Sequence, residues 1–242
     1  MNVKRIFATT QRILSQLRHD PRTLALMVVA PCLLMTILKY VYQGQPQTFQ
    51  HAAAAMLGIF PMLVMFLITS VATLRERTSG TLERLLILPI TKLEFILGYA
   101  FAFALAAFIQ SIVVSSVAIG PLGLKVAGSQ LSMIFVAVLD ALLGLAIGLF
   151  VSSFAKTEFQ AVQFLPVVLL PQLLLSGLLA PVETMPGLFH FLSHFLPLTY
   201  SVDAMKKVMM GQGSFTHDFE LIALFLFFFL AAGALTLKRK SK

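Results

Sequence analysis

Residues 131–154 read LSMIFVAVLDALLGLAIGLFVSSF, a stretch in which Asp140 is the only ionisable side chain. At about 1.5 Å per residue, a helix of this length reaches roughly 36 Å, enough to cross the ~30 Å hydrocarbon core of a bilayer. A helix that is apolar on every side belongs in a core or in lipid, not at a protein–water boundary. Five stretches of the same character flank it, at 23–41, 52–74, 95–119, 159–180 and 219–237, and the six take up most of the 242 residues. The chain is 58% hydrophobic and 12% charged, whereas a soluble domain carries about 25% charged residues. One water-facing globule of this length could not hide so much apolar surface, so the bilayer is the expected solvent.

A seventh apolar stretch, 185–200, is interrupted by Pro186, His190, His194 and Pro197 and is too short and polar to cross. Bent backbone at membrane depth must be satisfied by neighbouring protein or water, so this stretch reads as a re-entrant helical pair on one face of the membrane. No internal repeat is visible, and no linker is long enough to split the chain. The expected fold class is an all-α membrane protein: six transmembrane helices, an N-terminal amphipathic interfacial helix over 1–20, and the re-entrant pair before the last span. All of 1–242 reads as one transmembrane domain.

The net charge of +8 allows nucleic acid, an anionic surface or topology signals as its cause, and the placement of the charges decides. Lys4, Arg5, Arg12, Arg18 and Arg22 precede the first span, Arg75, Arg77, Arg84 and Lys92 fall in the second loop, and Lys156 and Lys238, Arg239, Lys240 and Lys242 share that side. Only Lys39, Lys125, Lys206 and Lys207 lie opposite. By the positive-inside rule both termini are cytoplasmic, and no nucleic-acid partner is needed to account for the charge. The lone Cys32 follows Val29, Ala30 and Pro31, but the adjacent proline and the apolar sequence beyond argue against lipidation. No cleavage site of small residues follows the basic start, so the first span is expected to be retained. Upstream of it, Val3, Ile6, Phe7, Ile13, Leu14 and Leu17 share one arc of a helical wheel, the mark of a helix lying on the membrane surface. Asp20-Pro21 ends that helix, because the residue before proline is pushed out of the α region.

The loop from Arg75 to Glu94 is the most charged part of the chain, yet Leu82, Leu85 and Leu86 stand at i, i+3 and i+4. That spacing gives a short helix one apolar face. Gly80 and Thr81 open it, Pro89 stops it, and Thr91 with Glu94 matches a capping box for the third span. With Glu76, Arg77, Glu83 and Arg84 around the stripe, the element suits docking into a groove on a soluble partner. A solvated turn helix is the plainer reading of the same residues.

This loop resembles a known family. Glu76-Arg77-Thr78-Ser79-Gly80-Thr81-Leu82-Glu83, with Leu85 and Pro89, is similar to the Glu-Arg-x-x-Gly-Thr-Leu-Glu signature of type-2 ATP-binding-cassette (ABC) transporter permeases. Ser176 to Pro181, then Met185-Pro186-Gly187 and Pro197-Leu198-Thr199-Tyr200 before Asp203-Ala204, resemble the block such permeases carry between their last two spans. The resemblance implies a drug or lipid exporter in the plasma (inner) membrane of a prokaryote, working as a dimer with itself or a related permease on two cytoplasmic ABC ATPase subunits. It implies that 81–88 is the coupling helix, that 3–19 is the connecting helix, and that Glu76, Arg77, Gly80, Thr81, Leu82, Glu83, Leu85 and Leu86 couple to the ATPase. The short loop 42–51 implies the lack of the large extracellular domain that some relatives insert there. No Gly-Lys-Ser or Gly-Lys-Thr phosphate loop occurs in the chain, so no cofactor is expected on it; ATP and Mg²⁺ are expected on the partner.

Inside the spans, Asp140, Gly144, Gly148 and Ser152 form one stripe, and Gly144 to Gly148 is a small-xxx-small step that suits close helix packing. Counting the same depth along the third and fifth spans reaches Gln110 and Gln172, and Gln163 lies on the same kinked fifth span, so these residues with Asp140 are candidates for a substrate pathway. A carboxylate at that depth needs a partner or a proton, and hydrogen bonding between helices is the simpler role for Asp140. Two rival functions compete with a permease. A zinc enzyme would use His190 and His194, but the Glu of His-Glu-x-x-His and a third ligand are missing, so no metal is expected. An autonomous carrier or channel would call for repeated broken helices, and only one interrupted segment is clear.

Overall fold

A computed structural model of the protein describes residues 2–81 and 91–236. The described residues form nine α-helices and one 3₁₀ turn, with no strand. Helix α1 spans Val3–Arg18, α2 Pro21–Val41, α3 Pro46–Thr78, α4 Lys92–Ile119, α5 Gln130–Ser152 and α6 Glu158–Leu175. The 3₁₀ turn Val182–Thr184 leads to α7, Gly187–Ser193, then α8, Pro197–Met210, and α9, Thr216–Thr236. Six of these helices, α2 to α6 and α9, are long and apolar enough to cross a membrane, so the chain is a multi-pass all-α membrane protein. Helix α1 and the ends of α3, α5 and α9 meet at what we call the terminal end of the bundle; α7 and α8 lie at the far end.

The centre of the bundle is α3 against α5, with α8 and α6 also on α3 and α9 on α5. Close approach of α3 and α5 requires glycine. A Cβ on Gly144 would lie 2.2 Å from the Met62 carbonyl oxygen, and one on Gly148 2.6 Å from that of Phe66. Since these two glycines stand four residues apart, as do Met62 and Phe66, the contact runs along one face of each helix. Helices α3 and α5 are largely buried, whereas α2, α6 and α9 leave most of their apolar surface uncovered within one chain.

Several boundaries differ from those the sequence predicts. Helix α3 begins at Pro46, six residues before the expected 52, and runs on to Thr78. Hydrophobicity marks where a helix enters lipid, but backbone hydrogen bonding carries it further at both ends, and Pro46 suits a first helical position because its missing N–H would have no intrahelical partner there. The expected fifth span, 159–180, stops at Leu175, followed by Gly177 at φ +81°, a left-handed conformation open to glycine. Of the expected re-entrant pair, α7 lies within 185–200, but α8 continues ten residues further, to a left-handed Gly211. Its face of Leu198, Val202, Met205 and Met209 is buried in the core. The loop 120–129 is fastened to this helix by the Ala127 N–H donating to the Met209 carbonyl at 2.9 Å.

Candidate functional site

Three consecutive charged residues end α3, and at 100° per residue they point in three directions. Arg75 donates from Nε and Nη2 to the two carboxylate oxygens of Glu158, at 2.8 and 3.0 Å, in the first turn of α6. The Glu76 carboxylate accepts from Arg12 Nη1 of α1 at 2.5 Å and from the Tyr99 hydroxyl of α4. Arg77 donates at 3.1 Å to the Ser152 carbonyl, which also accepts from the Ala155 N–H at 3.3 Å, at the end of α5, where a cation suits the helix dipole. One turn of α3 thus ties together α1, α4, α5 and α6.

These ties differ in strength. Arg75 and Glu158 are both half exposed, and such a pair contributes about 0–1 kcal/mol. Glu76 is buried, so its charge depends on the partners it has found. Burial lowers the Arg12 pKa, but the hydrogen bond and charge of Glu76 outweigh it and the net shift is upward. The guanidinium therefore stays charged beside the carboxylate.

The other stem of the loop is bound to α1 as well. Thr91 and Glu94 form the expected capping box: the Thr91 hydroxyl accepts from the Glu94 N–H at 3.2 Å, and Glu94 accepts from the Thr91 N–H at 2.9 Å. Glu94 also accepts from the Asn2 N–H at 2.6 Å, with Arg5 3.8 Å away. One turn on, the Thr10 hydroxyl donates to the Gly98 carbonyl, and a Cβ on Gly98 would come within 2.5 Å of Thr9 Cβ. The N-cap of α2 is Asp20, whose side chain accepts from the Thr23 hydroxyl and N–H; those bonds hold its pKa below the usual carboxylate value. Helix α1 is therefore a brace across both ends of the segment between α3 and α4.

Of the expected coupling residues, Glu76 is internal, Arg77 is half-buried against α5, and Gly80 and Thr81 are partly exposed, Gly80 at φ +71°. Leu82, Glu83, Leu85 and Leu86 lie outside the described residues. Sequence reasoning missed Arg12, read as a topology charge, and Tyr99, read as part of an apolar span. A signal was present in each: Arg12 adjoins the apolar arc at Ile13, and Tyr99 is the one hydroxyl-bearing aromatic in its span.

The candidate pathway residues do not share a lining. Asp140 is fully buried and accepts from the Met62 N–H at 3.2 Å and from the Ser201 hydroxyl, joining α5 to α3 and α8. Gln172 donates to the Val168 carbonyl and accepts from the Leu198 N–H, holding the first turn of α8 against α6. Gln110 is 1% exposed and points into a small cavity between helices. Only Gln163 is exposed. Equal depth along three spans does not fix which way each side chain turns: Asp140 and Gln172 bond to other helices of the same chain, and Gln110 faces the cavity.

Two larger spaces remain. An apolar groove of about 870 Å³ lies between α1, α2, α3 and α6, lined by Met27, Leu67, Val71, Phe159 and Val162, with Arg75, Glu158 and Asp20 also along it. At the far end, a polar pocket of about 540 Å³ holds Glu183, His190, His194, Asp203, Lys206 and Lys207. Burial lowers the Lys206 pKa, against the opposing charges of Asp203 and Glu183. Burial also lowers that of Lys207, but its bonds to Asp203 at 2.8 Å and Asp218 at 2.7 Å outweigh this and raise it. His190 and His194 stack edge-on, 4.8 Å between ring centroids. Among the described residues no three His, Cys, Asp or Glu side chains gather to hold a metal.

The sequence profile of the ABC-2 type transporter family matches residues 4–210. Among curated relatives, the probable multidrug ABC transporter permease YbhR of Escherichia coli K12 is 29% identical over 160 residues, 66% of this chain and 44% of YbhR. ABC transporter G family member 20 of Dictyostelium discoideum is 26% identical over 216 residues, 86% of this chain and 30% of that protein. The inner membrane transport permease YhhJ of Escherichia coli K12 is 30% identical over 155 residues, 63% and 41% of the two chains. The chain spans less than half the length of each of these relatives.

Proposed function

Because this chain belongs to the ABC-2 type transporter family, we propose that it is the membrane-spanning permease of an ATP-driven exporter, moving a hydrophobic or amphipathic substrate such as a drug, lipid or glycolipid out of the cytoplasm. The observation that carries this reading is the brace: α1 holds the stem before the 79–91 segment through Arg12–Glu76 and the stem after it through Asn2–Glu94. A segment fixed at both stems to one helix passes its displacement to the bundle rather than flexing alone. The partner is a pair of cytoplasmic ABC ATPase subunits, and a second permease, identical or related, completes the assembly. ATP and Mg²⁺ belong to those subunits, since this sequence has no loop to cradle phosphates. This reading puts the terminal end, with its basic residues, in the cytoplasm of a prokaryote.

Closure of the ATPase pair pushes on the 79–91 segment, and α3, about 50 Å long at 1.5 Å per residue, carries the push to the centre of the membrane. Nucleotide shifts the equilibrium between inward- and outward-open bundles only by binding one of them better. The apolar groove with its charged groups supports an amphipathic cargo, tail against Val71 and Phe159 and headgroup near Arg75 and Glu158.

Affinity purification of the full chain from its native membrane tests the proposal. The wild type retains a soluble subunit bearing a Gly-Lys-Ser/Thr loop, and Leu85→Asp inserts normally but no longer retains it. A chain that carries cargo against a gradient with no ATPase bound, or a Leu85→Asp variant indistinguishable from wild type, contradicts the proposal; the first outcome would establish an autonomous carrier.

A further inference from the structure

Near the middle of α3, Pro61 has no N–H to give, so the carbonyl of Leu57 loses its regular donor four residues on. Facing this break from α4 are two polar side chains. Gln110 is 1% exposed, and among the described residues neither its Nε2 nor its Oε1 has a partner; Ser111, 5% exposed, has an unpartnered hydroxyl. Leu57, Pro61, Gln110 and Ser111 line one cavity, together with residues that include Met133 of α5 and Met205 of α8. It admits the centre of a water-sized sphere over about 10 Å³, close to what one water needs.

We propose that this cavity is a hydration site holding one ordered water, which bonds to the Gln110 amide, the Ser111 hydroxyl and the free Leu57 carbonyl. A buried water makes about three such bonds, and buried amides are rarely left unpaired in native proteins. Gln110 brings both a donor and an acceptor, so either its Nε2–H or its Oε1 meets the water, which donates to the Leu57 carbonyl at the helix break. The space is too small for an organic ligand, and an empty cavity would be expected to be lined by apolar groups alone. The site thereby replaces a fixed helical hydrogen bond of α3 with one that solvent supplies, less than a turn from the Met62 N–H that Asp140 holds.

Radiolytic hydroxyl-radical footprinting of the full chain in lipid nanodiscs, with its ATPase subunits if they co-purify, reads this directly, because radiolysis of a bound water releases a hydroxyl radical that oxidises the side chains beside it. Met133 and Met205 are 1% and 0% exposed and line the cavity; Met35 and Met65, both 0% exposed, do not. The expected result is oxidation of Met133 and Met205 several-fold above Met35 and Met65, with slow incorporation of ¹⁸O from labelled solvent. Gln110→Leu is expected to abolish the excess while leaving the partly exposed Met185 and Met210 unchanged. Equal labelling of all four buried methionines in the wild type overturns the proposal whether or not the variant folds, as does an excess that persists in a folded Gln110→Leu protein.

Discussion

Glu76 shows how one side chain changes meaning between sequence and structure. In sequence it opens a charged loop and reads as a contact for another protein; in the fold it is buried between Arg12 and Tyr99. The two arginines beside it give a matched comparison. Glu76→Ala leaves Arg12 half-buried without its carboxylate and is expected to cost about 1–3 kcal/mol, less than a fully buried pair because Arg12 keeps some solvent. Arg75→Ala, which breaks an exposed pair, costs under about 1 kcal/mol. With no Trp in the chain, the readout is thermal unfolding followed by a thiol-reactive dye on the single, half-buried Cys32; equal shifts for the two variants would remove the distinction. Asp140 belongs to the same scale. Because both its oxygens are occupied within the chain, Asp140→Asn is expected to keep transport and lose about 1–2 kcal/mol of stability, and a stable protein that had lost only the export of cationic cargo would show instead that the carboxylate meets substrate.

At the level of helices, the contact of α3 with α5 depends on glycine, where the alternative is steric collision. Gly144→Ala places a Cβ against the Met62 carbonyl, and overpacking of this kind costs about 1–3 kcal/mol. Gly187→Ala, with nothing within 4 Å of the new methyl, is the control and is expected to leave the unfolding temperature unchanged. Element identity was legible from hydropathy, and the Gly144–Gly148 step, the Thr91–Glu94 box and the stop at Asp20-Pro21 were legible from local chemistry. Element length was not. The polar residues at 46–51 and 75–78 mask the ends of α3, which hydrogen bonds along the backbone maintain, and Asp203, Lys206 and Lys207 hide that α8 continues from Tyr200 with a buried apolar face. Side-chain direction was also out of reach: depth places Gln110, Asp140 and Gln172 at one level, but only the packed structure shows Asp140 bonded to Met62 and Ser201, Gln172 to Val168 and Leu198, and Gln110 facing the cavity beside Pro61.

The whole molecule is a bundle whose apolar outside is incompletely covered by one chain, with a tightly knitted joint at the terminal end and a polar pocket at the far end. The joint lies where the sequence is most charged, so its position was readable, but its wiring was not: Arg12 and Glu76 are 64 residues apart, and no local pattern pairs them. The central claim is that displacement of the 79–91 segment by a nucleotide-bound partner reshapes the groove between α2, α3 and α6. The most direct measurement is the maleimide labelling rate of a single cysteine at position 71, introduced as Val71→Cys in a Cys32→Ser chain assembled with its ATPase, with and without trapped nucleotide. The account predicts a several-fold change in rate on trapping, which Leu85→Asp abolishes. A rate that ignores nucleotide, or a response that survives Leu85→Asp, would contradict it.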